Sequence, residues 1–197
     1  MKNIRGKKRE YILNIAQSIF SYFGLKKTTI DEIAQKAGIG KGTIYNYFKS
    51  KEELFTKVVK REKEELKENI LETIRNIKEP EKQLIAFFTT KITYLYKLKN
   101  FYSIKRDMLD VIYEELDKII KSYYNFEKRT LLHILRNGIK KGDFKINNLQ
   151  LTVNVIMLTS KSLELYWLRN PEYKTPEQPI KEIKNLITIL FDGIKKR

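Results

Sequence analysis

Between residues 41 and 47 the chain places an ammonium group, a glycine, a hydroxyl with a methyl beside it, two phenols and an amide: Lys41, Gly42, Thr43, Tyr45, Asn46 and Tyr47. That set of groups suits a nucleic acid. Lys41 can neutralise a phosphate or donate to a guanine edge, Gly42 lets a backbone approach a duplex closely, and Thr43 offers a hydroxyl plus a methyl for thymine. Tyr45 and Tyr47 can donate phenolic hydroxyls to phosphates. Ile44 and Phe48, four residues apart, fall in line on one face of a helix and leave the other six residues free.

The flanking residues supply what such a face needs to be held in place. Thr29 stands three residues before Glu32, so hydroxyl and carboxylate can cap each other's amides and open a helix over Ile30–Ala37. Gly38 ends that helix, because glycine accepts the left-handed conformation at no steric cost. A second short helix starts near Gly40–Lys41. Ser50 and Glu53 repeat the capping box and begin a third, with Leu54, Phe55, Val58 and Val59 along one side. Two helices joined by a short glycine-bearing turn make a helix-turn-helix, whose second helix enters the major groove.

The residues Thr29–Ala34, Ala37-Gly38 and Lys41–Leu54 resemble the DNA-binding motif of the TetR family of transcriptional regulators, over most of residues 9–55. The resemblance implies an all-α chain with an N-terminal three-helix DNA-binding domain at residues 1–55. A larger helical ligand-binding and dimerisation domain is expected at 56–197. Lys41, Thr43 and Tyr45 are expected to select sequence, with Gly42 and Asn46 on the same face, while Thr29, Tyr47 and Lys51 hold phosphates. Many relatives carry a serine or threonine where this chain has Gly40, a hydroxyl that caps the reading helix or touches phosphate.

Charge points the same way. The 197 residues carry a formal net charge of +16, and residues 1–51 hold eleven Lys or Arg against three acids, half of that excess in about a quarter of the chain. A basic stretch so placed favours a polyanion. There is no cysteine, which removes disulfides, thiolate nucleophiles and Cys-based zinc sites, and the single histidine, His133, leaves almost no His-based metal chemistry. No phosphate-cradling glycine loop or placed carboxylate pair suggests catalysis, so no enzyme activity, metal or cofactor is expected. Neither a signal peptide nor a membrane-length apolar run is present, so a cytoplasmic protein is expected.

Along the rest of the chain, residues 2–9 read as a basic arm that either follows the DNA backbone or enters the minor groove, or else is a solvated tail. Ile12, Leu13, Ala16, Ile19, Phe20 and Phe23 then recur at helical spacing until Gly24. The helix from Lys51 runs uninterrupted to about Ile77 and should link the two domains. Pro80 opens a helix that is apolar over much of its circumference. Asn100 marks a break, Phe101–Ile112 reads as a short helix, and Tyr113–Lys141 as one or two longer ones ending at Gly142. Asn147 or Asn148 caps a helix over Leu149–Arg169, and Pro171, Pro176 and Pro179 form a rigid loop before a last helix from Ile180.

TetR-like proteins dimerise through two such C-terminal helices and hold a ligand among the middle ones. The resemblance thus implies an interface at Val153, Ile156, Leu163, Ile183, Ile187, Leu190 and Ile194. Leu66, Ile70, Phe88, Ile92, Tyr102, Met108, Tyr123 and Trp167 are candidate pocket residues. With many aromatic and aliphatic residues there and no compensating cluster of charge, the expected effector is apolar or amphipathic, such as a fatty-acyl chain or a hydrophobic drug-like compound. The expected function is therefore a ligand-responsive homodimeric repressor of a pseudo-palindromic operator. The competing expectation is a sequence-indifferent architectural DNA-binding protein without an effector.

Overall fold

A computed structural model of the chain describes residues 2–98 and 109–194. These form eight helices and, among the described residues, no strand: α1 (Lys2–Lys27), α2 (Ile30–Ala37), α3 (Lys41–Tyr45), α4 (Lys51–Arg75), α5 (Pro80–Lys97), α6 (Leu109–Lys141), α7 (Leu149–Arg169) and α8 (Glu177–Ile194). The chain divides into two compact units, one of residues 1–64 with 98–120 and the other of residues 65–97 with 121–197.

The smaller unit closes around one apolar cluster. Ile12, Leu13, Ala16 and Phe20 of α1 meet Ile30 and Ile33 of α2, Ile44 of α3, and Leu54, Phe55, Val58 and Val59 of α4, all buried. Phe20 and Phe55 pack edge to face with centroids 5.2 Å apart, an arrangement that suits the ring quadrupoles. The boundary expected after residue 55 lies further on. Val58 and Val59 belong to this core, and Arg61 donates to Glu10, Asn14 and Gln17, one face of α1. Gln17 in turn donates to Glu62 at 3.0 Å. Leu116 of α6 is buried in the same cluster, which local sequence had no means to signal.

The basic arm is also different from its expected form. Residues 2–9 are the first turns of α1 rather than an extended lead, and the backbone leaves helical geometry at Gly24 (φ 75°, ψ 167°), where the apolar repeat ends. Lys and Arg are good helix formers, and the arm rests on aromatic rings described below.

In the larger unit, α5 buries Leu84, Phe87, Phe88, Lys91, Ile92 and Leu95, and α5 packs against α8. Residues expected to form separate helices up to Lys141 form the single 33-residue α6 from Leu109; the expected break at Asn100 and Phe101–Met108 lie outside the described residues. The α6–α7 connection depends on a close approach at Gly138. A Cβ there would stand 2.1 Å from Cδ2 of the buried Phe144. Gly138→Ala should therefore cost about 1–3 kcal/mol as an overpacked site, read as a shift in urea midpoint with unchanged slope; no shift would mean the Phe144 ring yields freely.

Asn148 caps α7, its side-chain oxygen accepting the Leu151 amide at 2.9 Å. Pro179 falls inside the first turn of α8 rather than in the loop, where its missing N–H has no helical partner to lose. The loop is fastened by Glu182, which accepts Trp167 Nε1 at 2.9 Å, the Tyr173 hydroxyl at 2.8 Å and Gln178 Nε2 at 3.1 Å. Partial burial alone would raise the Glu182 pKa, but these three donors hold it below the usual carboxylate value.

Candidate nucleic-acid interface

The capping box at α2 is complete: Glu32 N–H donates to Thr29 Oγ1 at 3.2 Å and Thr29 N–H donates to Glu32 Oε2 at 2.7 Å. Gly38 closes the helix in the left-handed region at φ 63°, and Ile39 N–H reaches back to Ala34 O at 3.1 Å. A side chain at residue 38 would be strained in that conformation, whatever space surrounds it. The turn Gly38–Gly40 thus sets the angle at which α3 leaves.

Helix α3 is five residues long and is held from below by Ile44 and by Phe48 just past its end, both almost fully buried. Lys41, Gly42, Tyr45 and Asn46 are exposed and Thr43 and Tyr47 half-buried, so the predicted reading residues share one open surface. Gly40 occupies the N-cap and supplies no side-chain hydrogen bond. The Ser50 cap forms, with Glu53 N–H donating to Ser50 Oγ at 3.1 Å, but the Glu53 carboxylate accepts the Lys49 amide at 2.7 Å, one residue before the cap.

Two of the predicted cations already have partners in the free chain. Lys41 Nζ pairs with Asp31 Oδ2 at 2.8 Å across the two helices, and the hydrogen bond and charge of Asp31 hold its pKa above the usual lysine value. Lys51 Nζ donates to Thr28 O at 2.9 Å, clamping the start of α4 to the α1–α2 junction. An ammonium has three protons, so each keeps donors for a phosphate. Thr29 is exposed beside this clamp.

The basic arm brings two further cations to this surface, on aromatic partners that the sequence did not signal. Arg5 lies over the Tyr47 ring with Cζ 5.8 Å from its centroid, and Arg9 over the Phe48 ring at 5.3 Å. Some forty residues separate each pair, and nothing local signals them. An open groove of about 530 Å³ between α1 and α2, lined by Ser18, Ile19, Tyr22, Phe23, Glu32, Gln35 and Lys36, contains none of the reading residues.

The sequence profile of bacterial regulatory proteins of the tetR family matches residues 12–58, the stretch that builds this surface. Those residues are a TetR-family segment. Among its relatives, the HTH-type transcriptional regulator YhgD of Bacillus subtilis is 29% identical over 164 residues, 81% of this chain and 84% of that protein. A solved structure of a candidate fatty acid metabolism regulator from Clostridium perfringens is 28% identical, with a TM-score of 0.68, covering 95% of this chain and all of that one. FadR of Bacillus subtilis in complex with stearoyl-CoA is 21% identical, covering 90% and 96%, and its TM-score of 0.70 marks a shared fold.

The candidate effector residues Leu66, Ile70, Phe88, Ile92, Tyr123 and Trp167 are all buried in the larger unit, while Tyr102 and Met108 lie outside the described residues. The expected absence of charge among the middle helices is overturned. Lys91 of α5 is buried, forms ion pairs with the buried Glu127 of α6 and Glu164 of α7, and donates to Ser160 at 3.3 Å. Ser160 donates on to Glu164 Oε1 at 3.1 Å. Burial by itself would lower the Lys91 pKa; the two carboxylates outweigh it and hold the group well above the usual lysine value.

The predicted dimer residues divide by burial. Val153, Ile183 and Ile187 are buried against their own chain, while Ile156 and Leu163 are half-buried. Only Leu190, 40% exposed, stands open; the Ile194 side chain lies outside the described residues. The open apolar stripe of α7 is Leu151, Val155, Leu158 and Leu165, with Ile189 beside Leu190 on α8. Helix α7 is apolar on two faces, and helical periodicity cannot tell which of them meets the chain's own core. No helix among the described residues is long and apolar enough to cross a membrane.

Proposed function

We propose that the chain binds a pseudo-palindromic operator as a homodimer and represses transcription until an amphipathic effector releases it. The observation that carries this reading is the open donor face of α3, from Lys41 to Tyr47, braced by Ile44 and Phe48 over the small unit's core. Thr43, Lys41 and Tyr45 would meet base edges, with Thr29, Tyr47 and Lys51 on phosphates. The exposed stripe Leu151, Val155, Leu158 and Leu165, together with Ile189 and Leu190, would supply the dimer face. A fatty-acyl effector is supported by the described complex of FadR with stearoyl-CoA and by the apolar residues of the larger unit.

Variants at α3 test the assignment. Thr43→Ala should change preference at one or two base pairs by about 1–3 kcal/mol, while Tyr47→Phe and Lys51→Ala should weaken binding to every sequence alike. Competition binding against single-base operator variants reads the difference; equal losses on operator and random DNA for all three variants would remove the assignment. An effector that acts by release should lower operator affinity by the same factor by which operator lowers its own affinity.

A further inference from the structure

Arg5 and Arg9 stand one turn apart on α1, four residues from each other and so on one face. That face covers the exit of α3, where Tyr47 and Phe48 follow directly. Their electrostatic surroundings differ. Arg9 is half-buried and bonded to Glu10 Oε1 at 3.2 Å, and Arg61 reaches the other oxygen of the same carboxylate. Arg5 is exposed, and no carboxylate among the described residues pairs with it.

From this arrangement we infer that α1 supplies a further DNA-binding residue and a positioning residue: Arg5 meets the phosphate that the Tyr47 hydroxyl meets, while Arg9 holds Phe48 and hence the pitch of α3. The inference rests on the DNA-binding reading above. A guanidinium lying over an aromatic ring keeps its edge N–H groups free, and its planar fork matches two phosphate oxygens at once. Resting on Tyr47, the Arg5 group is pre-ordered beside that phosphate and is not swung in from a mobile tail. Arg9, half-buried and paired with Glu10, takes the positioning part. Its contact is with a ring that lies beneath the reading helix.

The salt dependence of operator binding separates the two roles. Each phosphate contact contributes roughly 0.9 to the slope of log affinity against log salt. Arg5→Ala, an exposed substitution expected to leave the melting temperature unchanged, should therefore reduce the slope by about one and weaken operator and random duplex alike. Arg5→Lys should restore the slope. Arg9→Ala should leave the slope at the wild-type value and lower the ratio of operator to random affinity, because a loosened α3 reads less well. A slope unchanged by Arg5→Ala, in a protein whose wild type binds its operator tightly, would overturn the role of Arg5; a slope lowered by Arg9→Ala would overturn the division between the two. A wild type with no preference for any duplex would instead defeat the DNA-binding reading itself.

Discussion

Replacing Lys91 with methionine is expected to cost about 3–5 kcal/mol of stability, the typical penalty for leaving buried partner charges uncompensated. Lys91 is 5% exposed, and the two carboxylates facing it, Glu127 and Glu164, are 8% and 3% exposed. Without the ammonium they would confront each other away from water. Against a total stability of 5–15 kcal/mol usual for native proteins, the loss is large, and urea unfolding would measure it. A cost below about 1 kcal/mol would show that the cluster is effectively solvated. Removing all three charges together, as Lys91→Met with Glu127→Gln and Glu164→Gln, should recover much of the loss. The sign of the pH dependence follows from the direction of the Lys91 shift. Its folded pKa is raised, so its contribution is whole below the ordinary lysine value of about 10.4, falls as pH rises above it and is lost as pH passes through the folded value. Stability from neutral pH to about 10 should show no loss from this group.

The second large effect is expected at the exposed stripe of α7. Leu158 and Leu165 are 68% and 42% exposed in the single chain. Leu158→Glu with Leu165→Glu should yield a folded monomer by sedimentation. Its operator affinity should fall by about 10²–10⁴, because two half-sites can no longer be engaged by one linked pair of reading heads. Ile187→Glu should behave differently. Ile187 is 4% exposed against its own chain, so a charge there destabilises the subunit before it touches assembly. A double variant that stays dimeric would move the interface away from this stripe.

The contrast between these stripes shows how far the residues alone could be read. Elements with local stop and start signals were legible: Thr29 with Glu32 and then Gly38 bound α2 at Ile30–Ala37, and Asn148 placed α7 at Leu149–Arg169. The open face of α3 was legible too, because Ile44 and Phe48 at four-residue spacing leave the remaining side chains one direction to point. What depends on distant partners was not. Lys91, Glu127 and Glu164 each read as one more charge on a helix, until three helices bring them together. Arg5 and Arg9 read as an arm because their aromatic partners, Tyr47 and Phe48, lie about forty residues further along the chain. Leu116 carries no mark of the core it joins.

The central claim is that the α3 surface reads sequence rather than charge, and the most direct test is competition binding. The chain would be used to select duplexes from a random library, and its affinity for the best selected site compared with that for random duplex at roughly physiological salt. The account predicts a ratio of about 10³ or more. It also predicts a pseudo-palindromic site with half-site centres about 34–36 Å, or a multiple, apart. A ratio near one, with no recurrent sequence among the selected duplexes, would contradict it.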